Sequence, residues 1–215
     1  MKFIGYPRII KLLCVNKKRS NNMEQYLEHS KYIDYENAKI SALAKSLASN
    51  LNSKKEIAKV CFEWVRDNIK HSNDYKLNPV TCKASDVLNH KTGYCFAKSH
   101  LLAALLRVNE IPAGLCYQRL SINDNGAPYS LHGLNSVYLE EFGWYRIDAR
   151  GNKEGVNAQF SPPNEKLAFT IQFDSEIDFT EILSKPLPVV VSVLEKYESY
   201  IEVLQNLPDI KTRAL

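Results

Sequence analysis

The sequence predicts an α+β fold, and three observations carry the prediction. The first half of the chain places apolar residues at helical spacing, whereas the stretch after about residue 111 turns to β-rich segments joined by short turns. Helices first and an antiparallel meander afterwards give a helical layer against a sheet. Third, the nearly charge-free run from Cys95 to about Val108 is apolar on more than one face, which predicts a central helix packed against that sheet.

The elements follow in order. From Asn37 to Leu51, Ile40, Leu43, Ala44 and Leu47 recur at helical spacing and predict a first amphipathic helix. Ser53 to Glu56 reads S-K-K-E, the form of a capping box, and Ile57, Val60, Cys61, Trp64, Val65 and Ile69 then share one stripe of a second helix. Residues 70–91 contain Pro79 and several Asn and Asp residues and read mostly as loop, with one short helix around Ser85 to Leu88. After the Cys95 helix comes a strand ending at N-D-N-G-A-P, where Asn125-Gly126 signals a hairpin. The return strand, about Ser130 to Leu139, carries His132; the turn E-E-F-G leads into W-Y-R-I-D-A-R, which carries Asp148. Beyond Gly151, Pro162, Pro163, Pro186 and Pro188 break the chain into short pieces, with a last helix expected over about Val189 to Leu204.

Composition narrows the function classes. The chain has 215 residues, 45% of them apolar, enough to bury a real core; residues 23–215 read as one domain, with a core at about 54–151 and a C-terminal wrap at 152–215. Residues 1–22 read as an extension, because Pro7, Arg8 and Lys11 interrupt any signal-peptide pattern and Met23 opens a cleaner globular one. A net charge of +4, spread along the chain, offers no face for nucleic acid. No apolar run approaches the roughly 20 residues that span a bilayer, so no membrane partner is expected. Five cysteines at irregular spacing fit reduced thiols and a cytoplasmic location better than a disulfide framework.

One thiol stands apart. Cys95 follows a glycine turn and opens a helix, where unpaired N–H groups and the helix dipole favour a thiolate over a thiol. A cysteine nucleophile needs an imidazole to take its proton and a third group to fix the imidazole tautomer. His132 and Asp148 are the candidates, and Cys95, His132 and Asp148 form a candidate triad. Cys61 and Cys116 fall on apolar positions and read as core. The two strands that carry His132 and Asp148 supply a geometric condition: the side chains share a sheet face only if paired residue numbers sum to an even value. A turn centred on Glu141 meets it, pairing Tyr138 with Trp144 and leaving Asp148 a diagonal neighbour of His132 at roughly 7–8 Å between Cα atoms; a register sum of 283, the other natural choice, would send the two side chains to opposite faces, and the even register is the one expected. The Cys95 N–H is one oxyanion donor by position, and Tyr75 is the candidate for a second. His71, His90 and His100 lie near Cys82 and Cys95 in sequence but match no metal-ligand spacing, so neither metal nor other cofactor is expected.

The run from Phe62 to Arg150 resembles a transglutaminase-like core domain: F-E-W-V-R-D-N-I-K, then G-Y-C-F-A-K-S-H-L-L-A-A-L-L-R, then L-H-G-L-N-S-V-Y-L and G-W-Y-R-I-D-A-R-G, in that family's order. The resemblance implies a papain-like fold with Cys95 as nucleophile, His132 as base and Asp148 as orienter. Two positions depart from the family pattern: Leu134 stands where an aromatic is usual, and Ala149-Arg150 follow the aspartate in place of Pro-Thr. Arg146 and Arg150 flank Asp148, and read first as solvated or ion-paired structural residues, with an acidic or carboxylate-bearing substrate as the other reading. The expected activity is that of a cysteine enzyme on the amide bonds of a peptide or protein, hydrolysing them as a protease or amidase through a thioester. The alternatives are amine or acyl transfer, of transglutaminase or acetyltransferase type, and a non-catalytic binding module.

Overall fold

The computed structural model describes residues 23–123 and 125–212; the expected extension at 1–22 lies outside the described residues. Helix α1 (Ala38–Ala48) starts where the Asn37 side chain accepts the Lys39 N–H. Helix α2 (Lys54–Asn68) starts at Ser53, whose hydroxyl accepts the Glu56 N–H and donates to the Glu56 carboxylate. Its buried stripe, Ala58, Cys61, Phe62 and Val65, faces the core.

The segment read as mostly loop holds more structure than its polar composition suggests. Lys70–His71 (β1) pairs in parallel with Thr92–Gly93 (β2), and α3 (Ser72–Tyr75) and α4 (Ala84–His90) lie between them. Two-residue strands carry no periodicity, so nothing in the sequence could announce them. Helix α4 takes its cap from a distance: the Asp34 carboxylate accepts the Ser85 N–H at 3.0 Å and the Ser85 hydroxyl at 2.5 Å.

Helix α5 (Cys95–Val108) is the centre of the molecule, buried from Cys95 through Arg107. Burying so polar a residue as Arg107 requires acceptors, and its guanidinium donates to the carbonyls of Glu28, Ala113 and Ser184. Lys98, also fully buried, donates to the Ile69 and Arg66 carbonyls and so fastens α5 to the end of α2. Strands β3 (Ala113–Ser121), β4 (Tyr129–Leu139), β5 (Gly143–Ile147) and β6 (Ile177–Asp178) form an antiparallel sheet in the order β5-β4-β3-β6. The fold is thus mixed α+β, with the Cys95 helix against the sheet. The β3–β4 hairpin opens into a longer loop than the Asn-Gly pair suggested, its ladder ending at Ser121↔Tyr129.

The single last helix expected over Val189 to Leu204 is two helices, α6 (Pro188–Lys196) and α7 (Tyr200–Gln205). Tyr197 is extended, and Ser199 restarts the chain with a capping box closed by Glu202. The apolar period continues through the break, which is why periodicity alone missed it. Val190, Leu194 and Val203 join the same core as α1, α2, α4, α5 and the sheet.

Candidate functional site

The site is built where strand β5 stops. The observed register pairs Tyr138 with Trp144 and ends at Asn135↔Ile147, so the sum is even, as the geometric condition requires. Asp148 therefore leaves the sheet on the face that carries His132, and Nε2 of His132 lies 2.7 Å from Oδ2 of Asp148. With β5 gone, the edge of β4 beyond Asn135 is open. The Leu131 N–H donates to the Pro208 carbonyl at 2.8 Å, and the Gly133 N–H points to Sγ of Cys95 at 3.4 Å. The sulfur occupies a gap between the end of one strand and the C-terminal segment.

Why a glycine follows the histidine is then clear. A Cβ on Gly133 would meet Phe96 Cδ1 at 2.8 Å and the Phe96 backbone at 3.1 and 3.3 Å. Only a residue without a side chain lets β4 approach the first turn of α5 closely enough for Sγ to reach the strand.

Electrostatics couple the three side chains. Burial works against charge on His132, but the Asp148 carboxylate and the Cys95 sulfur outweigh it and push the imidazole pKa up to about 10. Burial alone would raise the Asp148 pKa. The His132 imidazole, with the Ala168 and Arg150 N–H groups donating at 3.0 and 3.1 Å, holds it below the usual carboxylate range instead. An ionised carboxylate only accepts, so the proton on the shared hydrogen bond belongs to His132 Nε2, and Nδ1 is left for the sulfur. Burial pushes the thiols of Cys61, Cys82 and Cys116 up to about 12.

Other groups at the site left no signature in the sequence. Phe169 sets its ring edge-on to His132, centroids 5.0 Å apart, so an aromatic does flank the histidine although Leu134 is buried elsewhere in the core. Tyr94 donates its hydroxyl to the Tyr200 carbonyl at 2.6 Å, tying the residue before Cys95 to α7. A cleft of about 310 Å³ opens over Cys95 and His132, walled by Leu204 and Leu207 on one side and by His71, Asp74 and Arg150 on another.

Tyr75 does not reach this cleft. It is 56% exposed and lies over Lys70 Nζ at 5.3 Å, because α3 turns it outward. Both arginines beside Asp148 are ion-paired: Arg146 bridges Glu165 and Asp178, and Arg150 grips Asp74 through two hydrogen bonds of 2.6 and 3.0 Å. His100 is buried with Nδ1 2.7 Å from the Cys82 carbonyl. Among the described residues no group of three His, Cys, Asp or Glu side chains is arranged to hold a metal ion.

The family model of the transglutaminase-like superfamily matches residues 41–149, 109 of the 215 residues, a span that contains Cys95, His132 and Asp148. The chain belongs to the transglutaminase-like superfamily. Among solved structures, this superfamily member is similar to a candidate cysteine protease from Cytophaga hutchinsonii, with TM-score 0.48 and 22% identity over 60% of this chain and 42% of that one. It is also similar to the periplasmic domain of TgpA from Pseudomonas aeruginosa, with TM-score 0.42 and 20% identity over 58% of this chain and 45% of that one. A candidate protease from Parabacteroides distasonis matches with TM-score 0.43 and 12% identity over 77% of this chain and 30% of that one. The chain spans less than half the length of each of these proteins. No curated protein matches the sequence. Among the described residues no helix is long and apolar enough to cross a membrane.

Proposed function

We propose that this member of the superfamily is a cysteine hydrolase of amide or peptide bonds, with Cys95 as nucleophile, His132 as acid and base, and Asp148 as the residue that orients His132. The observation that carries the proposal is the 2.7 Å contact between His132 Nε2 and Asp148, on an imidazole that also interacts with the sulfur of Cys95 at the head of a buried helix. Cys95 Sγ gives its proton to Nδ1 and attacks the carbonyl carbon. The tetrahedral oxyanion is met by the Cys95 N–H, one of the first N–H groups of α5 that lack intrahelical acceptors. As the C–N bond breaks, the imidazolium returns the proton to the leaving amine and a thioester remains on Cys95. Water then attacks the thioester, giving a proton to Nδ1; the acid departs and the thiol is restored. An amine in place of water gives transfer.

The test is to trap the intermediate. Incubation with p-nitrophenyl acetate, followed by intact and peptide mass analysis, should give an acetyl group on Cys95 alone that water discharges faster than millimolar glycine methyl ester does. Discharge mainly to the amine would reassign the chain to the transferases. No acylation of Cys95 above the level at Cys61 would leave a binding module.

A further inference from the structure

The cleft has an unequal distribution of charge. At one end Glu176 is the acidic group, but its carboxylate accepts backbone N–H groups from Ser121 at 2.8 Å, Gln172 at 2.7 Å and Phe173, so its charge is met within the fold. At the other end two cations share one anion: Arg150 binds both oxygens of Asp74, and Lys153 Nζ lies 2.8 Å from Oδ1. The surplus positive charge belongs to Lys153. Arg150 is fixed, 8% exposed with its guanidinium over the Phe169 ring, whereas the Lys153 side chain is 47% exposed at the rim. Its backbone is not loose, since Lys153 and Val156 exchange two hydrogen bonds of 3.1 and 2.9 Å across a tight turn.

A second observation points to the same spot. His71 lines this end of the cleft and is 7% exposed, yet its Nδ1 has no hydrogen-bond partner among the described residues; Oδ2 of Asp74 lies 3.7 Å away and is already held by Arg150. A buried polar atom without a partner costs free energy that a ligand group can recover.

We propose that Lys153, beside His71, binds a carboxylate of the substrate, so that the preferred substrates are acidic: an Asp or Glu side chain, or a free chain-terminal carboxylate, near the bond that Cys95 attacks. A carboxylate there turns a cluster of two cations and one anion into two pairs, in a cleft that screens them less than open water. The proposal rests on Cys95 being the nucleophile of this cleft.

The test uses thiol-directed probes that differ only in charge: N-bromoacetyl-glutamate amide against N-bromoacetyl-glutamine amide, and N-bromoacetylglycine against its amide. In the wild type the acidic member of at least one pair should saturate Cys95 at about tenfold lower concentration, with an advantage that shrinks in high salt. The glutamate pair reports a side-chain carboxylate and the glycine pair a terminal one. Lys153→Ala should bring the ratio close to one, and Lys153→Glu should reverse it. Equal saturation by acidic and neutral probes, or an acidic preference that survives Lys153→Glu and so belongs to the His132 imidazolium, would overturn the proposal. Titration of Cys95→Ala with acetyl-glutamate amide and acetyl-glutamine amide by NMR reads the same subsite without chemistry. Tighter glutamate binding there, lost in Lys153→Glu, would uphold the subsite even if Cys95 were not the thiol modified; equal binding would overturn it.

Discussion

Gly133→Ala is the substitution whose consequence follows most directly from the packing. The new methyl would stand 2.8 Å from Phe96 Cδ1, closer than side chains tolerate, and 3.1 and 3.3 Å from the Cα and N of the same residue. The ring can turn; the backbone of the first turn of α5 cannot. Either α5 retreats from β4 or the strand bows outward, and overpacking of this kind costs about 1–3 kcal/mol. Loss of chain entropy in the unfolded state offsets about 0.4–1 kcal/mol, because alanine is less flexible than glycine. The net expectation is a loss of up to about 2.6 kcal/mol, centred near about 1.3 kcal/mol, or a few degrees in Tm for a domain of this size, at roughly 2–4 °C per kcal/mol. The same displacement pulls Cys95 Sγ from the Gly133 N–H, now 3.4 Å away, so alkylation of Cys95 should slow along with the loss of stability. Urea unfolding and peptide-resolved alkylation on one preparation read both. A variant as stable as wild type with unchanged Cys95 reactivity would refute the claim that glycine is needed there to seat the Cys95 helix.

Further predictions follow from neighbouring groups. Asp148→Asn keeps the size but can present an N–H to His132 and favour the wrong tautomer; thioester formation should fall by about 10³-fold or more, with stability changed less. Lys98 is buried, and that burial, with Arg150 nearby, lowers its pKa to about 7 from an unfolded value of 10.5. A depressed lysine pKa means that the unfolded chain binds the proton more readily, so stability should rise as pH goes from about 7 toward 10.5. The rise has a ceiling of about 5 kcal/mol for the shift of about 3.5 units. The buried thiols work in the opposite direction above about pH 9, so the difference between wild type and Lys98→Met in urea unfolding at pH 7 and 9.5 isolates the lysine; a difference that does not change with pH would contradict the assignment. Asp34→Ala removes the remote cap of α4 and should cost about 1–2 kcal/mol in the same assay, whereas an unchanged midpoint would mean that water replaces the carboxylate.

Much of the site could be read in the sequence because Cys95 and His132 lie on periodic elements and Asp148 directly follows one. The start of α5 follows from the glycine turn before Cys95 and the strand bearing His132 from its β-rich pattern, while the short turn left two registers open, of which the even one puts His132 and Asp148 on one face. The opposite wall of the cleft could not be read so. His71 and Asp74 lie in a two-residue strand and a one-turn helix, and Phe169 and Lys153 in irregular segments, where no period marks a position and contacts between residues 76 apart, such as Asp74 with Arg150, decide the structure. Tyr75 precedes Cys95 closely in sequence, but a helix of four residues turns neighbours 74 and 75 to different sides: Asp74 lines the cleft and Tyr75 does not.

The most direct test of the account is the rate at which iodoacetamide modifies each thiol of the folded protein at pH 7, resolved by peptide, in wild type and His132→Ala. The account predicts that Cys95 reacts far ahead of Cys61, Cys82 and Cys116, whose thiols burial pushes up to about 12, and that His132→Ala removes most of this advantage. A Cys95 rate that matches the three buried thiols, or that survives loss of the imidazole, would contradict it.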